Sequence, residues 1–354
     1  MTTRRVTLLF AVGIAIVALA AWVSNRSQSS QDSVAGTPVL PGLEAAVNDV
    51  TQIRITKADK TQTTLDRRAT DWVVGERGYP ADSGKLRQLL LDLGSLQAVQ
   101  RKTSIARNYP VLGVEDVSQP KATGARIDIV SPGKTWSLIV GSSMDGNDCY
   151  VRVVNSAQSL LASPLILVDS DPKLWLDPTI LDIGQARVSE VSEQPAKGAG
   201  FSVSRDKKTQ ADFTVHGIPH GRHLTGADAA DTMGSALSSL TLTDVRKAAT
   251  PPPGTDLAHA VFKTFDGLEI DVSGYKQAND DYIDVSARAA DKSADTEAQQ
   301  INSRVQGWEY EIPDYRYGEI FQPLDGLLEP LPVKKARPIS RARAKAKSPL
   351  RATP

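Results

Sequence analysis

Leu86, Leu89, Leu90 and Leu93 are spaced as one face of a helix, and Met233, Ala236, Leu237 and Leu240 repeat that spacing 147 positions later. Apolar residues at i, i+3, i+4 and i+7 form one stripe of an α-helix, and such a stripe has to be buried against something. The chain sets similar neighbours around both stripes. Before the first, VTQIRIT (50–56) alternates apolar and polar residues as a half-buried strand does, and QTTLDRR and TDWVVG follow as shorter strands. After it come RIDIV and TWSLIVG, joined at Ser131-Pro132-Gly133, and then CYVRVV. In the second half RVSEVSE (187–193), FSVSRD and ADFTVH precede the stripe, while HAVFKTF, a turn at Asp266-Gly267 and LEIDVSG follow it. Asp212-Phe213-Thr214-Val215 stands where Asp71-Trp72-Val73-Val74 stood. Asn279-Asp280-Asp281-Tyr282-Ile283-Asp284-Val285 matches Asn147-Asp148-Cys149-Tyr150-Val151-Arg152-Val153 at an offset of 132. Five elements in one order predict an internal repeat.

The expected fold class is therefore α+β: two tandem, related sheet-plus-helix units with mainly antiparallel strands, one over 48–185 and the other over 186–331. Asp82 is placed to cap the first helix, and Thr225 with Asp228 the second. Ahead of the units, Arg4 and Arg5 precede VTLLFAVGIAIVALAAWV, an uncharged run from Val6 to Val23. Eighteen helical residues span about 27 Å, close to the hydrocarbon thickness of a bilayer. This predicts an N-terminal transmembrane helix over 6–23, an uncleaved signal anchor with residues 1–5 in the cytoplasm and the body across the membrane. Ala18-Leu19-Ala20 resembles a signal-peptidase site, so a cleaved signal is the competing reading. SNRSQSSQDSVAGTP opens a polar linker over 24–47.

Charge separates the body from its end. From Lys334 onward there are eight Lys or Arg and no acid, so the preceding 333 residues carry 33 basic and 41 acidic side chains. An acidic body argues against a nucleic-acid-binding core. The basic tail over 332–354 is too charged and Pro-interrupted to fold alone, and reads either as a solubilising end or as an electrostatic tether to anionic lipid or an acidic partner. Cys149 is the only cysteine, which removes internal disulfides and Cys-based zinc sites.

Three of the four histidines, His216, His220 and His223, fall within HGIPHGRH, the metal-site candidate of the chain. Gly217, Pro219 and Gly221 interrupt them, and the segment lacks the Glu that a zinc hydrolase helix carries. Asp212 to Met233 is 21 residues where Asp71 to Leu86 is 15, so the histidines occupy an enlarged strand-to-helix loop, read as solvated. Gly133-Lys134-Thr135 lacks the upstream glycine of a phosphate loop, with Asp128 at that position, and reads as a hairpin turn. Asp145-Gly146-Asn147-Asp148 lacks the ligand series of a calcium loop. Asp171-Pro172 and Asp177-Pro178 read as turn or helix-start chemistry. No G-x-S-x-G occurs, Cys149 has no recognisable partner histidine, and no catalytic residue, cofactor or resident metal is expected.

TDWVVGERGYPADSGKLRQLLLDLGSLQAV, LIVGSSMDGNDCYVRV, DPKLWLDPTILDI and VQGWEYEIPDYRYGEIF together resemble the bacterial family catalogued as domain of unknown function 4340, over roughly residues 50 to 325. The resemblance implies one N-terminal membrane segment, an envelope-facing body, and a frequent genetic neighbourhood with gliding-motility-type ABC transporters; it implies no catalytic residues. The expectation is thus a non-catalytic binding or accessory module, single-pass in the bacterial inner membrane with its body in the periplasm. Its expected partners are the membrane and an ABC-type permease or other envelope protein, with no nucleic acid. The alternatives are a metal-dependent hydrolase built on His216, His220 and His223, and a structural spacer without a specific ligand.

Overall fold

The computed structural model describes residues 16–18, 22, 34–144, 146–252 and 254–331. Ile16, Val17, Ala18 and Trp22, from the apolar run, are helical; the rest of 6–23, residues 1–5 and the tail 332–354 lie outside the described residues. Among the described residues no helix is long and apolar enough to cross a membrane.

Alternation of apolar and polar side chains sorts the chain into two sheets, each with one buried face. In chain order the first contains β1 (Thr37–Pro38), β2 (Gln52–Lys57), β3 (Gln62–Arg68), β4 (Asp71–Val74), β5 (Tyr79–Pro80), β6 (Gln97–Arg101), β7 (Ala125–Ser131), β8 (Lys134–Met144), β9 (Asp148–Val153) and β10 (Ser159–Ser163). They lie in the order β1-β6-β10-β9-β8-β7-β2-β3-β4-β5, antiparallel throughout. A connector carries β11 (Thr179–Leu181), and the second sheet follows with β12 (Val188–Gln194), β13 (Phe201–Ser204) and β14 (Thr214–His216). Next come β15 (Leu240–Thr241), which pairs with β11, and β16 (Asp244–Lys247), β17 (Ala258–Thr264), β18 (Leu268–Gln277), β19 (Asp280–Ala289) and β20 (Trp308–Ile312). The second sheet runs β14-β13-β12-β17-β18-β19-β20-β16, also antiparallel. Leaving out β1 and β5, the first sheet read from its other end is β4-β3-β2-β7-β8-β9-β10-β6, the same scheme strand for strand. In each, three meandering strands lead to a crossover, which delivers the next strand to the far edge.

The helices account for the inner faces. In the first half α1 (Leu43–Ala46) packs on α2 (Ser83–Ser95). Asp82 caps α2 as expected, accepting from the N–H groups of Gly84 and Lys85 at 2.9 and 3.0 Å. Leu86, Leu89, Leu90 and Leu93 are its buried face, in one apolar cluster with Ile53, Ile127 and Leu138. The linker expected to reach residue 47 does not do so: Val34, Val39, Leu40 and Leu43 are buried, and β1 pairs with β6, so residues 34–47 belong to the body.

The second helix departs from expectation. α3 spans only Asp231–Ser235, turns follow, and Leu240 belongs to β15. Met233, Ala236, Leu237 and Leu240 are all fully buried, so the apolar spacing holds while the helix does not. Gly234 and the serines after it are weak helix formers, and Ser239 at φ 48° turns the chain out of the helix. Gly234 is also required by packing, since a Cβ there would stand 2.4 Å from the Phe213 ring. Thr225 and Asp228 do not cap α3, whose N-cap is Ala230; Thr225 instead donates its N–H and hydroxyl to Leu327 O at 3.0 and 3.2 Å. The long amphipathic helix of this half is α4 (Asp295–Val305), between β19 and β20, burying Ala298, Ile301 and Val305. Its Asn302 amide accepts from Ala287 N–H at 2.9 Å and donates to Ala287 O at 2.7 Å. This pairs the backbone of β19 beyond the stretch Asp281–Ile283 that β20 reaches. Helix α5 (Asp314–Ile320) follows, and it lies close on β18 because Gly274 has no Cβ to meet Phe321 and Tyr317.

The connector joins both halves. Trp175 is 1 % exposed, donates its indole N–H to Asp169 O at 2.8 Å and carries the Lys85 ammonium 4.5 Å from its ring centroid. Backbone bonds tie the connector to the first half (Asp82 N–H to Trp175 O, Asp177 N–H to Pro80 O) and to the second (Leu242 N–H to Pro178 O, Ile183 N–H to Leu237 O). Beside it Arg77 grips Asp244 through two bonds of 2.8 and 2.9 Å, with Lys173 3.2 Å away. Burial opposes ionisation of Asp244, but the Arg77, Val245 N–H and Lys173 bonds outweigh it and hold the carboxyl below its ordinary value. Truncating Trp175 to Ala should lower the unfolding free energy by about 3–5 kcal/mol, read by urea denaturation.

One core residue is out of character. Glu193 lies two positions beyond Val191 on β12, 3 % exposed, and among the described residues neither carboxylate oxygen has a hydrogen-bond partner. Burial pushes its carboxyl up to about 8 from an ordinary 4.5. The folded protein thus holds this proton more tightly than the unfolded chain, so stability falls as pH rises from about 4.5 to about 8. Glu193→Gln should remove that decline, stabilising the protein at pH 8.5 by about 2–4 kcal/mol and much less at pH 5, as thermal denaturation at the two pH values would register.

Candidate functional site

Strand alternation sends Tyr275 of β18, Tyr282 and Asp284 of β19, Glu309 of β20 and Arg246 of β16 to the outward face of the second sheet, opposite Val272, Ile283, Tyr310 and Val245. Outward polar residues are ordinarily solvated, yet Glu309 is 0 % exposed and Tyr275 is buried too. They are covered by one another. Glu309 accepts a short hydrogen bond from Arg246 Nε and another from the Tyr275 hydroxyl at 2.7 Å. Arg246 Nη2 donates to Tyr275 Oη at 2.9 Å, and its guanidinium lies 3.7 Å from the Tyr282 ring centroid. The two tyrosine rings stack at 5.7 Å and 30°. Burial, and then Glu309, push the Tyr275 phenol up to about 12, so it remains a donor at neutral pH. Asp284 stands across from Ser273, and its carboxylate makes no hydrogen bond or ion pair among the described residues. Burial, with Glu309 adding repulsion, raises it to about 6.

Along the same sheet, toward β12, β13 and β17, lies a shallow cleft of about 460 Å³ lined by residues including Ser192, Phe201, Ser202, His216, His259 and Val261. His216 ends β14 with Nε2 2.7 Å from Ser204 Oγ, and His259 on β17 stands between Gln194 and Ser273. The structure therefore places His216 with the distant His259, and sends His220 and His223 away onto the loop after β14, where both are exposed. Gly217 at φ 88° and Gly221 at φ 79° turn that loop, so intervals along the sequence do not become neighbours in space. Among the described residues no group of three or more His, Cys, Asp or Glu side chains could hold a metal ion. The loop is instead clasped by the C-terminal segment: Arg222 bonds Asp325 at 3.1 Å and Glu329 O at 3.0 Å, Leu224 bridges Leu328, and Glu329 N–H reaches His223 O at 2.9 Å.

The remaining motifs have local roles. Gly133-Lys134-Thr135 turns the β7–β8 hairpin, with Gly133 at φ 79°. Asp171 accepts from Lys173 N–H at 3.0 Å and Asp177 from Thr179 N–H at 3.1 Å, the turn chemistry expected of them. Cys149 is buried, and burial pushes its thiol up, away from nucleophilic character. The sequence signal that could have found the outward cluster is its alternation: YKQANDDYID puts Tyr282 and Asp284 on one strand face opposite Ile283, and WEYE puts Glu309 and Glu311 opposite Trp308 and Tyr310. What the face offers chemically is recognition: a half-exposed arginine held rigid by two buried tyrosines and a buried carboxylate, beside a cleft with two imidazoles.

A family model described as a domain of unknown function (DUF4340) matches residues 72–259, more than half of the chain, from within β4 through α2 and the connector to the start of β17. Searches of curated proteins and of solved structures returned no match. With its antiparallel α+β architecture and this match, the chain belongs to the family of domain of unknown function 4340.

Proposed function

We propose that this protein is a non-catalytic, membrane-anchored accessory module of the bacterial envelope, whose body stands in the periplasm and contacts the permease of an ABC-type transport system. The observation that carries the binding role is the outward Arg246–Tyr275–Tyr282–Glu309 cluster. Arg and Tyr dominate the energetics of protein interfaces, and side chains already fixed by hydrogen bonds lose little freedom when a partner docks. The run Val6–Val23 behind Arg4 and Arg5 supports a single-pass inner-membrane anchor with the N-terminus in the cytoplasm. A lone apolar span without an ionisable residue forms no transport path of its own, so the activity of such a protein lies in what its body meets. The transporter as partner follows from the gliding-motility-type ABC neighbourhood of the family that the chain resembles. The body itself reads as two copies of one unit, 48–185 and 186–331, on the shared strand scheme and the matched sequence segments together.

A photoreactive residue in place of Ser286, exposed on the outward face, should capture a multi-span permease in intact cells. Capture should fall about tenfold or more in Tyr282→Ala, provided that variant keeps the wild-type thermal transition. It should persist when residues 6–23 are exchanged for an unrelated anchor. Crosslinks that reach only lipid, or only the protein itself, would replace the accessory reading with that of a structural spacer.

A further inference from the structure

A second recess lies in the first half, between α2, the β3–β4 hairpin and the turn after α1. It encloses about 400 Å³, within the range of small-ligand sites, and Val47, Trp72, Leu90 and Leu91 line it together with Arg67 and Arg87. The apolar stripe of α2 is wider than the sheet beneath it covers: Leu90 is buried, but Leu91 is 55 % exposed. Arg87 lies one helical turn before Leu91, on the same side, and its guanidinium makes no hydrogen bond or ion pair among the described residues. Among the described residues Arg67 uses only one of its five side-chain donors, on Asn48 O at 2.5 Å. An open apolar trough with two arginines in its lining matches a ligand that carries both an apolar and an anionic part.

The course of the chain says where such a ligand would come from. Ten residues, 24–33, separate the apolar run from Val34, a contour of at most about 40 Å. From Val34 the chain pairs with β6, directly after α2, and then packs α1 on α2; Val47 and Asn48, a few residues on, are themselves walls of the trough. The trough and the point where the chain joins the body thus share one helix, which is about 20 Å long. We propose that this trough binds an anionic phospholipid of the membrane to which the protein is anchored, with Arg67 and Arg87 on the phosphate and an acyl chain along Trp72 and Leu91. The source of the lipid rests on the anchor reading; the site itself does not.

The test uses the full chain in a neutral detergent, titrated with short-chain phosphatidylglycerol, short-chain phosphatidylcholine or inorganic phosphate, with amide hydrogen exchange of residues 67–95 as the readout. Phosphatidylglycerol should slow exchange along α2 and the hairpin, while the other two leave it unchanged. Arg87→Glu should weaken the effect about tenfold, and Leu91→Ser should weaken it without abolishing headgroup preference. Both positions are exposed, so both variants should keep the wild-type melting transition; a variant that melts early is replaced by Arg87→Gln. Equal protection by phosphatidylcholine, protection by inorganic phosphate alone, no protection by phosphatidylglycerol, or wild-type binding in the Arg87 variant would each overturn the site. Because the lipid is supplied in solution, failure of the anchor reading leaves this result untouched.

Discussion

A sheet with one apolar face is not stable until that face is covered, and in this protein each half covers most of its own face but not the end that meets the other. The connector closes that gap. Its carbonyls and N–H groups are used on both sides, by Asp82 and Pro80 in the first half and by Leu237 and Leu242 in the second, and Trp175 fills the space between them. Around it the apolar cluster runs without a break from Ile53 to Phe262. Tyr79 adds an edge-on contact to Trp308 at 5.0 Å, and the Arg77–Asp244 pair fixes the rim. A partly buried bidentate pair with low exposure on both sides is worth more than a solvated one, and it also sets the register of one half against the other. This joint fastens the two sheets to each other.

The parts of the fold that could be read from the sequence are those where local chemistry and tertiary burial agree. Asp82 before a leucine face marks α2, and strict alternation marks β2, β7 and β18. Where the two disagree the reading fails in a definite way. In the second half the apolar positions were legible and the helix was not, since burial sets which residues are apolar while Gly234 and the following serines set how far the helix runs. Helix α4 was missed for the opposite reason: DTEAQQINSRV has three buried side chains among polar ones, too few to stand out as a stripe. Val34 to Ala46 is held by pairing with β6 and by packing on α2, neither of which leaves a periodic trace.

The candidate site was still less legible. A polar residue on the outward side of a strand reads as solvated, and nothing local announces that Glu309 will be sealed beneath two tyrosines and an arginine. His216, His220 and His223 are close in sequence without being gathered in space, because interval along a chain stands for proximity only in regular structure, and two glycines at positive φ lie between them. Meanwhile three of the segments by which the chain resembles its family fall at the joint. One supplies Arg77, Tyr79 and Asp82, DPKLWLDPTILDI is the connector itself, and the last supplies Trp308 and Tyr310. The family match over residues 72–259 takes in the first of these segments and the connector, so it covers much of what fastens the two sheets here.

The clasp between the loop after β14 and residues 325–329 gives the molecule two separate ends in a mechanical sense. The chain joins the body beside α2 in the first layer and leaves it from this clasp on the second, just before a stretch with eight positive charges. A pull applied between those two ends would be a tension that has to cross from the first sheet to the second. It falls on the connector and on Arg77 with Asp244, which makes this joint the place where a pull on the molecule would first be felt as a change of shape.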